Sequence, residues 1–501
     1  MVFEILLSAL LLAAPSHHAA PAAPAATGTM KQDSSAELPA PSVTRHMVKI
    51  GGASLAYTAT AGFLPVLNDG GETEAQVFYI SYAADSPDPG RKRPLIFFLN
   101  GGPGAASVWL HLGAAGPRRV KMLDDGRLPP SPYRLVDNDS SWLDLGDLVF
   151  IDPVGTGYSR AAKPESAQKF STQQGDIDSL GRFIRLYLTR SGRWGSPLFL
   201  AGESYGAFRS AGLTEYLVEH GIALNGLLLI SSVMNFQTIS FNSGNDLPYQ
   251  LFLPSYTATA WYHGRLSPGF QADLEQTLAA AEQWSDTVYL TSLARGDRLT
   301  PEERQNVARG ISSFTGLDQA FIENRNLRID SRTFVRELLR DRRQVVGFMD
   351  SRFTADNPDP SAPHGFDPAV ATIRPPYTAT FNDYVRNDLG FRSDLEYFTL
   401  GGGIGRWEYD ARNSYADTSD NLRDAMAKNR YLRVFVASGL FDLATPHAAT
   451  DYTLNHLRLP AELRKNVVTR RYRAGHMMYL ESGSRAGLKK DVAEFIAGSL
   501  Q

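Results

Sequence analysis

The stretch that decides the fold is Ser196-Pro197-Leu198-Phe199-Leu200-Ala201-Gly202-Glu203-Ser204-Tyr205-Gly206. Its apolar first half is typical of a short strand that is buried on both faces. Residues 207–220 follow with apolar side chains at helical spacing. Gly202 and Gly206 flank the turn and allow the backbone to reverse sharply. The sequence therefore predicts a strand, a tight turn and a helix, with Ser204 at the apex.

A Gly-x-Ser-x-Gly segment between a strand and a helix is typical of the nucleophile elbow of α/β-hydrolases. The turn holds the serine hydroxyl clear of the sheet, and the N-terminus of the following helix directs backbone N–H groups toward a developing oxyanion. A chance match to this pattern is often only a turn, so the flanking strand and helix carry the inference. The resulting hypothesis is that Ser204 is a catalytic nucleophile.

The composition is that of an ordinary globular protein. The chain has 501 residues, of which 43% are hydrophobic and 21% are charged, and its formal net charge is −3. This charge argues against a nucleic-acid-binding surface. The chain contains no cysteine, which excludes disulfides, thiolate metal sites and a cysteine nucleophile. No pair of histidines has zinc-like spacing with a carboxylate, so we expect no metal ion and no cofactor.

The N-terminal residues 1–27 are typical of a targeting segment. The apolar run at residues 5–14 is too short to span a bilayer as a helix and resembles the central region of a signal peptide, although Glu4 is acidic where a basic residue is usual. Alanine- and proline-rich residues 15–27 are typical of a tether. We therefore expect export to the periplasm or the medium, with no stable membrane insertion after cleavage. The sequence gives no signal for oligomeric state.

Apolar runs on both sides of the elbow predict one central sheet. Residues 47–60 and 75–84 have strand periodicity and predict two early antiparallel strands, with a turn at residues 68–71. Further strands are predicted at residues 94–99, 147–151, 225–230, 432–437 and 467–472. Helical periodicity marks residues 177–187 and 483–499.

The strand–helix alternation stops at about residue 236 and returns at about residue 416. The simplest interpretation is an α/β-hydrolase fold with a mostly parallel central sheet flanked by helices and a large, mainly helical cap insertion. The predicted parts are the hydrolase core at 45–235 and 416–501 and the cap at 236–415. In open α/β sheets the functional site lies at the carboxyl ends of the strands, where the cap would sit.

A serine nucleophile needs a base and an acid that orients the base, and in this fold they follow the serine in the order acid, then histidine. Asp442 follows the strand at 432–437, and His476 follows the strand at 467–472. Both are predicted at the edge that carries Ser204. His447 is the rival base, but its position just before an apparent helix is typical of a structural residue.

The loop Asn100-Gly101-Gly102-Pro103-Gly104 follows an early central strand and predicts the second half of an oxyanion hole. Its glycines allow the backbone to approach a substrate closely, although a tight turn alone would need the same residues. The predicted donors are the backbone N–H groups of Gly102 and Tyr205.

These segments together resemble the serine carboxypeptidase family. The matching pieces occur in family order at residues 98–104, 116–117, 151–159, 202–206, 438–442 and 475–477. The pair Asn-Gly-Gly-Pro-Gly and Gly-Glu-Ser-Tyr-Gly is highly specific, whereas the insertion is the least matched part. The absence of cysteine favours a bacterial-type member.

The resemblance implies a carboxypeptidase that removes C-terminal residues from peptides and favours acid pH. It maps the catalytic triad onto Ser204, Asp442 and His476, and it maps binding of the substrate's terminal carboxylate onto Asn100 and Glu203. Two carboxyl groups can meet only if one holds a proton, so Glu203 must be protonated to bind the substrate. That requirement explains an acid preference.

The sequence departs from the family pattern at two positions. Ala105 stands where the family usually has a cysteine, and Ala114 stands where it has a glutamate that helps to bind the carboxylate. The second departure affects exopeptidase specificity rather than hydrolysis. Arg118 and Arg119 offer an alternative partner for a carboxylate, and surface arginines are the competing interpretation.

Three functions compete on these observations. The first is a serine carboxypeptidase that acts through an acyl-enzyme on peptides with a free C-terminus. The second is an esterase or acyltransferase with the same triad, which the Ala114 departure favours. The third is a non-catalytic binding protein on a hydrolase scaffold, against which the presence of all three triad residues argues.

Overall fold

The computed structural model describes residues 39–85, 92–361 and 365–501. The predicted signal peptide and tether at residues 1–27 lie outside the described residues. Within the described ranges, no helix combines the length and the apolar character needed to cross a membrane.

The strands, numbered in chain order, are β1 Ser42–Ile50, β2 Ala53–Leu67, β3 Thr73–Ala84, β4 Leu95–Leu99, β5 Arg118–Val120, β6 Leu135–Asp137, β7 Asp147–Ile151, β8 Arg160–Ala161, β9 Leu198–Glu203, β10 Gly226–Ile230, β11 Gln344–Val346, β12 Thr354–Asp356, β13 Arg433–Gly439 and β14 Val467–Tyr472.

The α-helices are α1 Val108–Leu110, α2 Gln173–Ser191, α3 Tyr205–Glu219, α4 Leu247–Tyr262, α5 Pro268–Gln271, α6 Leu274–Trp284, α7 Leu290–Arg295, α8 Pro301–Thr315, α9 Gln319–Asn324, α10 Ser331–Glu337, α11 Pro368–Asn387, α12 Ser419–Lys428, α13 His447–Asn455, α14 Ala461–Arg464 and α15 Ser482–Gly498. Short 3-10 or π turns cover His111–Ala115, Pro164–Ser171, Phe236–Ile239, Ser285–Tyr289, Gly296–Arg298, Arg340–Arg342 and Met478–Leu480.

Ten strands form one mixed sheet in the order β1-β2-β3-β7-β4-β9-β10-β13-β14, with β8 paired to β3. The first pairings, from β1 to β7, are antiparallel, and all pairings from β7 to β14 are parallel. The elbow strand β9 lies between β4 and β10, in the middle of the parallel part. The predicted mostly parallel sheet with flanking helices is confirmed.

The central strands are buried on both faces because helices cover both sides of the sheet. In β4, Ile96 and Phe98 pack into one hydrophobic cluster, while the alternating residues pack into a second cluster on the opposite face. In β10, Leu228 and Ile230 likewise pack into the first cluster, and Leu227 and Leu229 pack into the second. These continuous apolar runs therefore fix the position of the loops that follow the strands.

The prediction of a single strand over residues 47–60 is wrong. The chain forms a hairpin there, because β1 ends at Ile50 and β2 begins at Ala53. Gly51 and Gly52 form the loop with φ angles of 56° and 87°. Two consecutive glycines with positive φ are typical of the two-residue loop of a tight hairpin. The period-two pattern continues on both sides of this loop, which hid the turn.

Residues 236–415, hereafter the insertion segment, lie between β10 and β13 and are mainly helical. Helices α4 and α8 and the residues around α10 bury apolar side chains in a cluster of their own, which includes Phe252, Tyr256, Ile311 and Phe334. The segment also contains the short hairpin of β11 and β12. The loop after β11, residues 347–352, contacts the site described next.

Candidate active site

Ser204 occupies a strained turn at the carboxyl end of β9. Its φ is 62° and its ψ is −128°, immediately before α3 begins at Tyr205. A Cβ on Gly202 would lie 2.2 Å from the carbonyl oxygen of Gly206, and one on Gly206 would lie 2.3 Å from that of Leu99. Both positions therefore admit only glycine. The turn places Ser204 in the lining of a cavity.

His476 and Asp442 meet at the same edge of the sheet, on the loops after β14 and β13. Nδ1 of His476 lies 2.7 Å from Oδ2 of Asp442. Asp442 is fully buried, and its Oδ1 accepts hydrogen bonds from the backbone N–H groups of Ala444 and Thr445 at 2.8 and 3.0 Å. The Thr445 hydroxyl donates to Oδ2 at 2.7 Å. This set of donors holds an ionised carboxylate in one orientation.

The electrostatics of His476 follow from this pairing. Burial alone would lower the pKa of His476, but the charge of the Asp442 carboxylate and its hydrogen bond outweigh burial and raise it. Nε2 of His476 is buried, lies on a residue that lines the cavity, and makes no hydrogen bond within the described ranges. With Nδ1 held by Asp442, Nε2 is the nitrogen free to exchange a proton with a group in the cavity.

The insertion segment holds the His476 loop in place. The backbone N–H of His476 donates to the carbonyl of Met349 at 2.7 Å. A Cβ on Gly475 would lie 2.4 Å from Cβ of Asp350, so these two loops are in direct contact. Asp350 is buried and paired with Arg352 at 2.6 Å. The position of the histidine therefore depends on residues far from it in sequence.

Asn100, Glu203 and Tyr479 form a buried polar group beside the elbow. The Asn100 amide donates to Oε2 of Glu203. The Tyr479 hydroxyl donates to both carboxyl oxygens of Glu203, at 2.9 Å to Oε2 and 3.1 Å to Oε1. The backbone N–H of Leu110 donates to Oδ1 of Asn100 at 3.0 Å and so fixes the orientation of the amide. Asn100 and Glu203 line the cavity.

Burial raises the pKa of Glu203 to about 7, and the positive charge available on His476 and the hydrogen bonds from Tyr479 and Asn100 oppose that shift. Glu203 is 2% exposed. A carboxyl group in this environment is protonated in a large fraction of molecules at neutral pH, so it can donate a hydrogen bond to another carboxylate.

The two predicted oxyanion donors lie on neighbouring turns. A Cβ on Gly101 would lie 2.5 Å from the backbone nitrogen of Tyr205, so the glycine loop packs directly on the elbow. Gly102 has a φ of 101°, which favours glycine. Within the described residues, the backbone N–H groups of Gly102 and Tyr205 donate no hydrogen bond. Both are therefore without an acceptor in the described chain, and Gly102 and the neighbouring Ser204 line the cavity.

The cavity has a volume of about 580 Å³ and is mostly apolar. The polar residues of the elbow region that line it are Asn100, Glu203, Ser204 and His476. The insertion segment adds four charged residues to the lining, Asp330, Arg332, Arg336 and Asp367. The insertion segment supplies most of the apolar lining, which includes Phe236, Ile239, Phe241, Phe252, Phe348 and Ile373. The space suits an extended ligand with at least one large apolar group.

Other candidates from the sequence lie away from this cavity. His447 is fully buried at the start of α13, with Nε2 at 3.2 Å from Oε1 of Glu282, and it is absent from the cavity lining among the described residues. Arg118 pairs with Asp137 at 2.6 Å, and the nearest acidic partner of Arg119 is 3.9 Å away. Neither arginine is among the described residues that line the cavity.

Sequence reasoning missed three contributors to the site. Thr445 lies three residues after Asp442, a spacing at which a hydroxyl can donate a hydrogen bond to the carboxylate, so the sequence could have predicted this contact. The Met349 carbonyl comes from the insertion segment and had no local signal. Tyr479 lies in a short 3-10 turn after His476, where no periodic pattern indicates the direction of the side chain.

The sheet topology, the strained serine turn and the buried histidine–aspartate pair define an α/β-hydrolase. A family model described as serine carboxypeptidase matches residues 52–496, and the chain therefore belongs to the serine carboxypeptidase family.

Relatives support the assignment over part of their length. Serine carboxypeptidase-like 5 of Arabidopsis thaliana is 30% identical over 155 residues, which are 30% of this chain and 33% of that protein. Pheromone-processing carboxypeptidase KEX1 of Saccharomyces cerevisiae is 32% identical over 162 residues, or 29% of this chain and 20% of that protein. The matched part thus spans about a third or less of these relatives.

The fold as a whole matches a solved structure. The crystal structure of the prohormone-processing carboxypeptidase Kex1(Δ)p from Saccharomyces cerevisiae aligns with a TM-score of 0.55 and 16% sequence identity. The alignment covers 88% of this chain and 91% of that chain. At this identity the likeness concerns the fold.

Proposed function

We propose that the protein is a serine-type carboxypeptidase that releases C-terminal residues from peptides through an acyl-enzyme. The single observation that carries the proposal is the environment of His476. Its Nδ1 lies 2.7 Å from Asp442, and its Nε2 has no partner within the described ranges. His476 and Ser204 line the same cavity. This is the arrangement a serine nucleophile requires of its base. Catalytic hydrogen bonds are often long in the free enzyme and tighten when substrate binds.

The proposed reaction runs in two halves. Oγ of Ser204 attacks the scissile carbonyl while Nε2 of His476 takes the hydroxyl proton, and the N–H groups of Gly102 and Tyr205 donate to the oxyanion. Collapse of the tetrahedral intermediate breaks the C–N bond, and His476 gives its proton to the leaving amine. Water then attacks the acyl-serine ester by the same route and releases the shortened peptide.

Binding of the terminal carboxylate is proposed for Asn100 and Glu203. Protonated Glu203 donates a hydrogen bond to the substrate carboxylate, and the Asn100 amide, which donates to Oε2, holds the glutamate in place. The raised pKa of Glu203, about 7, supports this role because the group can hold its proton near neutral pH. Rising pH ionises Glu203, and the two carboxylates then repel each other, which favours activity at the acid side.

The domain arrangement proposed here treats residues 45–235 and 416–501 as the hydrolase core and 236–415 as its cap. The cavity supports this arrangement, because the insertion segment contributes most of the apolar lining over the polar residues of the core. The apolar lining further suggests peptides with a large apolar side chain near the scissile bond.

We also propose that the protein is an exported, bacterial-type family member. The apolar run and alanine-rich stretch of residues 1–27 and the absence of cysteine support this. N-terminal sequencing of the protein recovered from the periplasm or medium tests it, and an intact Met1 on exported protein would contradict removal of a signal peptide.

The decisive experiment digests a mixed peptide library and follows the products by mass spectrometry. We expect loss of single residues from the C-terminus, blocked when the library is amidated at its C-termini. Release of internal fragments would contradict exopeptidase action. A serine-directed phosphonate that fails to label the folded protein would instead favour a non-catalytic binding protein.

An esterase or acyltransferase with the same triad is the second candidate function. The observation that favours it is Ala114, a buried apolar residue at the position where the family pattern has a carboxylate-binding glutamate. Comparison of a peptide with its ester analogue separates the two functions, since an esterase would cleave only the ester.

A further inference from the structure

Tyr479 is the partner of Glu203 that the proposed mechanism does not use. It is fully buried and, unlike Asn100 and Glu203, is not among the described residues that line the cavity. Its hydroxyl donates to Oε1 and Oε2 of Glu203 at 3.1 and 2.9 Å. A buried hydroxyl aimed at a buried carboxyl group fixes that group's position and influences its proton affinity.

The chain around Ala114 is shaped to admit this tyrosine. A Cβ on Gly113 would lie 2.4 Å from Cε2 of Tyr479, so the ring packs directly on the backbone next to Ala114. Ala114 itself is 1% exposed and has no polar side chain. The ring of Tyr479 thus fills the space beside the Gly113 backbone, and its hydroxyl reaches Glu203.

A tyrosine differs from a second carboxyl group in one chemical respect. Burial raises the pKa of Tyr479 well above its usual value, so its hydroxyl stays protonated and can always donate. A second carboxyl group would share a proton with Glu203 and would repel it once both were ionised. The hydrogen bond from Tyr479 therefore persists in both protonation states of Glu203 and favours the ionised one.

The other titratable groups that face Glu203 belong to three further elements. They are His476 on the loop after β14, Asp442 on the loop after β13 and Tyr377 on α11. The positive form of His476 and the hydroxyl of Tyr479 lower the pKa of Glu203, while the charge of Asp442 raises it. Removing the Tyr479 hydroxyl alone thus raises the pKa of Glu203 further.

We propose that Tyr479 is a positioning residue for recognition of the substrate's terminal carboxylate. Oε2 of Glu203 accepts both the Asn100 amide and the shorter of the two contacts from Tyr479, whereas Oε1 accepts only the longer one, so Oε1 carries the proton that is presented to the substrate. The same hydrogen bond sets the pH at which this recognition is lost. The inference rests on the proposed carboxypeptidase function.

The test compares the pH dependence of kcat/KM in the wild type and in Tyr479→Phe, which keeps the ring against Gly113. Each enzyme is assayed from about pH 5 to about pH 9 on one peptide with a free C-terminus and on its C-terminal amide, because the profile of kcat/KM reports groups of the free enzyme. Titration with a serine-directed phosphonate counts folded active sites. The matched control is Tyr377→Phe, which removes another buried tyrosine hydroxyl near Gly113 that makes no hydrogen bond to Glu203 in the described chain.

For Tyr479→Phe we expect the alkaline limb for the free peptide to move up by about one pH unit, as loss of one hydrogen bond to a charged group implies. The amide profile and the Tyr377→Phe profile should show no such shift. An unchanged limb, a downward shift, or an equal shift in Tyr377→Phe would overturn the inference. A further check combines Tyr479→Phe with Glu203→Gln, where the alkaline limb should be absent, as in Glu203→Gln alone.

Failure of the inference is distinguishable from failure of the proposed function. If the wild-type enzyme does not cleave the free peptide, the carboxypeptidase proposal fails and no profile exists to shift. If the wild type cleaves it with an alkaline limb and Tyr479→Phe leaves that limb in place, only the role of Tyr479 is wrong.

Discussion

The backbone N–H of His476 donates a 2.7 Å hydrogen bond to the carbonyl of Met349, so the insertion segment directly holds the proposed catalytic base. The next residue of that segment, Asp350, packs against Gly475 so closely that a Cβ on the glycine would lie 2.4 Å from Cβ and Cγ of the aspartate. The two loops therefore form one packed unit. A change at their contact should disturb catalysis before it disturbs the fold.

Gly475→Ala is expected to lower kcat by ~10²-fold, because a displacement of about 1 Å in a catalytic group has a cost of that order. KM should change less, since Asn100 and Glu203, the proposed carboxylate-binding residues, follow β4 and end β9, away from this contact. The measurement is steady-state kinetics together with thermal unfolding. Gly487→Ala on α15 is the matched control, because its Cβ would meet Tyr472 only at an ordinary distance of 3.6 Å. Equal losses in the two variants would contradict the argument.

Ser204→Ala should lower kcat/KM by ~10⁴-fold or more and abolish labelling by a serine-directed phosphonate. Alanine keeps the Cβ that the strained turn already accommodates, so the melting temperature should stay close to that of the wild type. Ser210→Ala, six residues along α3, removes another buried serine hydroxyl and serves as the control. Undiminished peptide release by Ser204→Ala would refute the assignment of the nucleophile.

Activity on a peptide with a free C-terminus should follow a bell-shaped pH profile. His476 must be neutral to accept a proton, and its pKa is raised, so kcat/KM falls as pH decreases through that raised value. Glu203 must be protonated, and its pKa is about 7, so kcat/KM falls again as pH rises through about 7. The peptide amide has no terminal carboxylate, so its profile should show only the acid limb. The pH optimum for the free peptide should therefore lie below that for the amide.

Glu203→Gln tests the second limb of this profile directly. Glutamine keeps an oxygen that can accept from Asn100 and Tyr479, and its NH₂ group can donate to the substrate carboxylate without ionising. The alkaline limb for the free peptide should therefore disappear. If the limb persists at the same pH in this variant, a group other than Glu203 is responsible for it.

Much of this architecture could be predicted from the sequence because its signals are local. The apolar runs of β4, β9 and β10 and the glycines of the elbow each specify their own conformation, and the central sheet followed from them. The hairpin at Gly51 and Gly52 was missed because strand periodicity continues through it. Contacts between distant segments, such as Met349 with His476 and Tyr479 with Glu203, had no local pattern, since tertiary packing alone brings them together.

The apolar lining of the cavity leads to a prediction on specificity that centres on Phe348, a partly buried residue of the insertion segment. Phe348→Ala should lower kcat/KM for peptides with phenylalanine beside the scissile bond by about 10-fold or more, because burial of a large apolar side chain is worth about 1.5–3 kcal/mol. Peptides with alanine there should be affected little. The backbone N–H of residue 348, which donates to Asp367 at 3.2 Å, is unchanged in this variant.

The quantity to measure for Phe348→Ala is the ratio of kcat/KM for the phenylalanine peptide to that for the alanine peptide, with each residue flanking the scissile bond varied in turn. Tyr431→Ala is the control, since Tyr431 is 90% exposed and is not among the described residues that line the cavity. A fall of the ratio for only one flanking position would identify the subsite that Phe348 forms. An unchanged ratio at both positions would mean that the apolar part of the cavity does not receive the substrate's side chains.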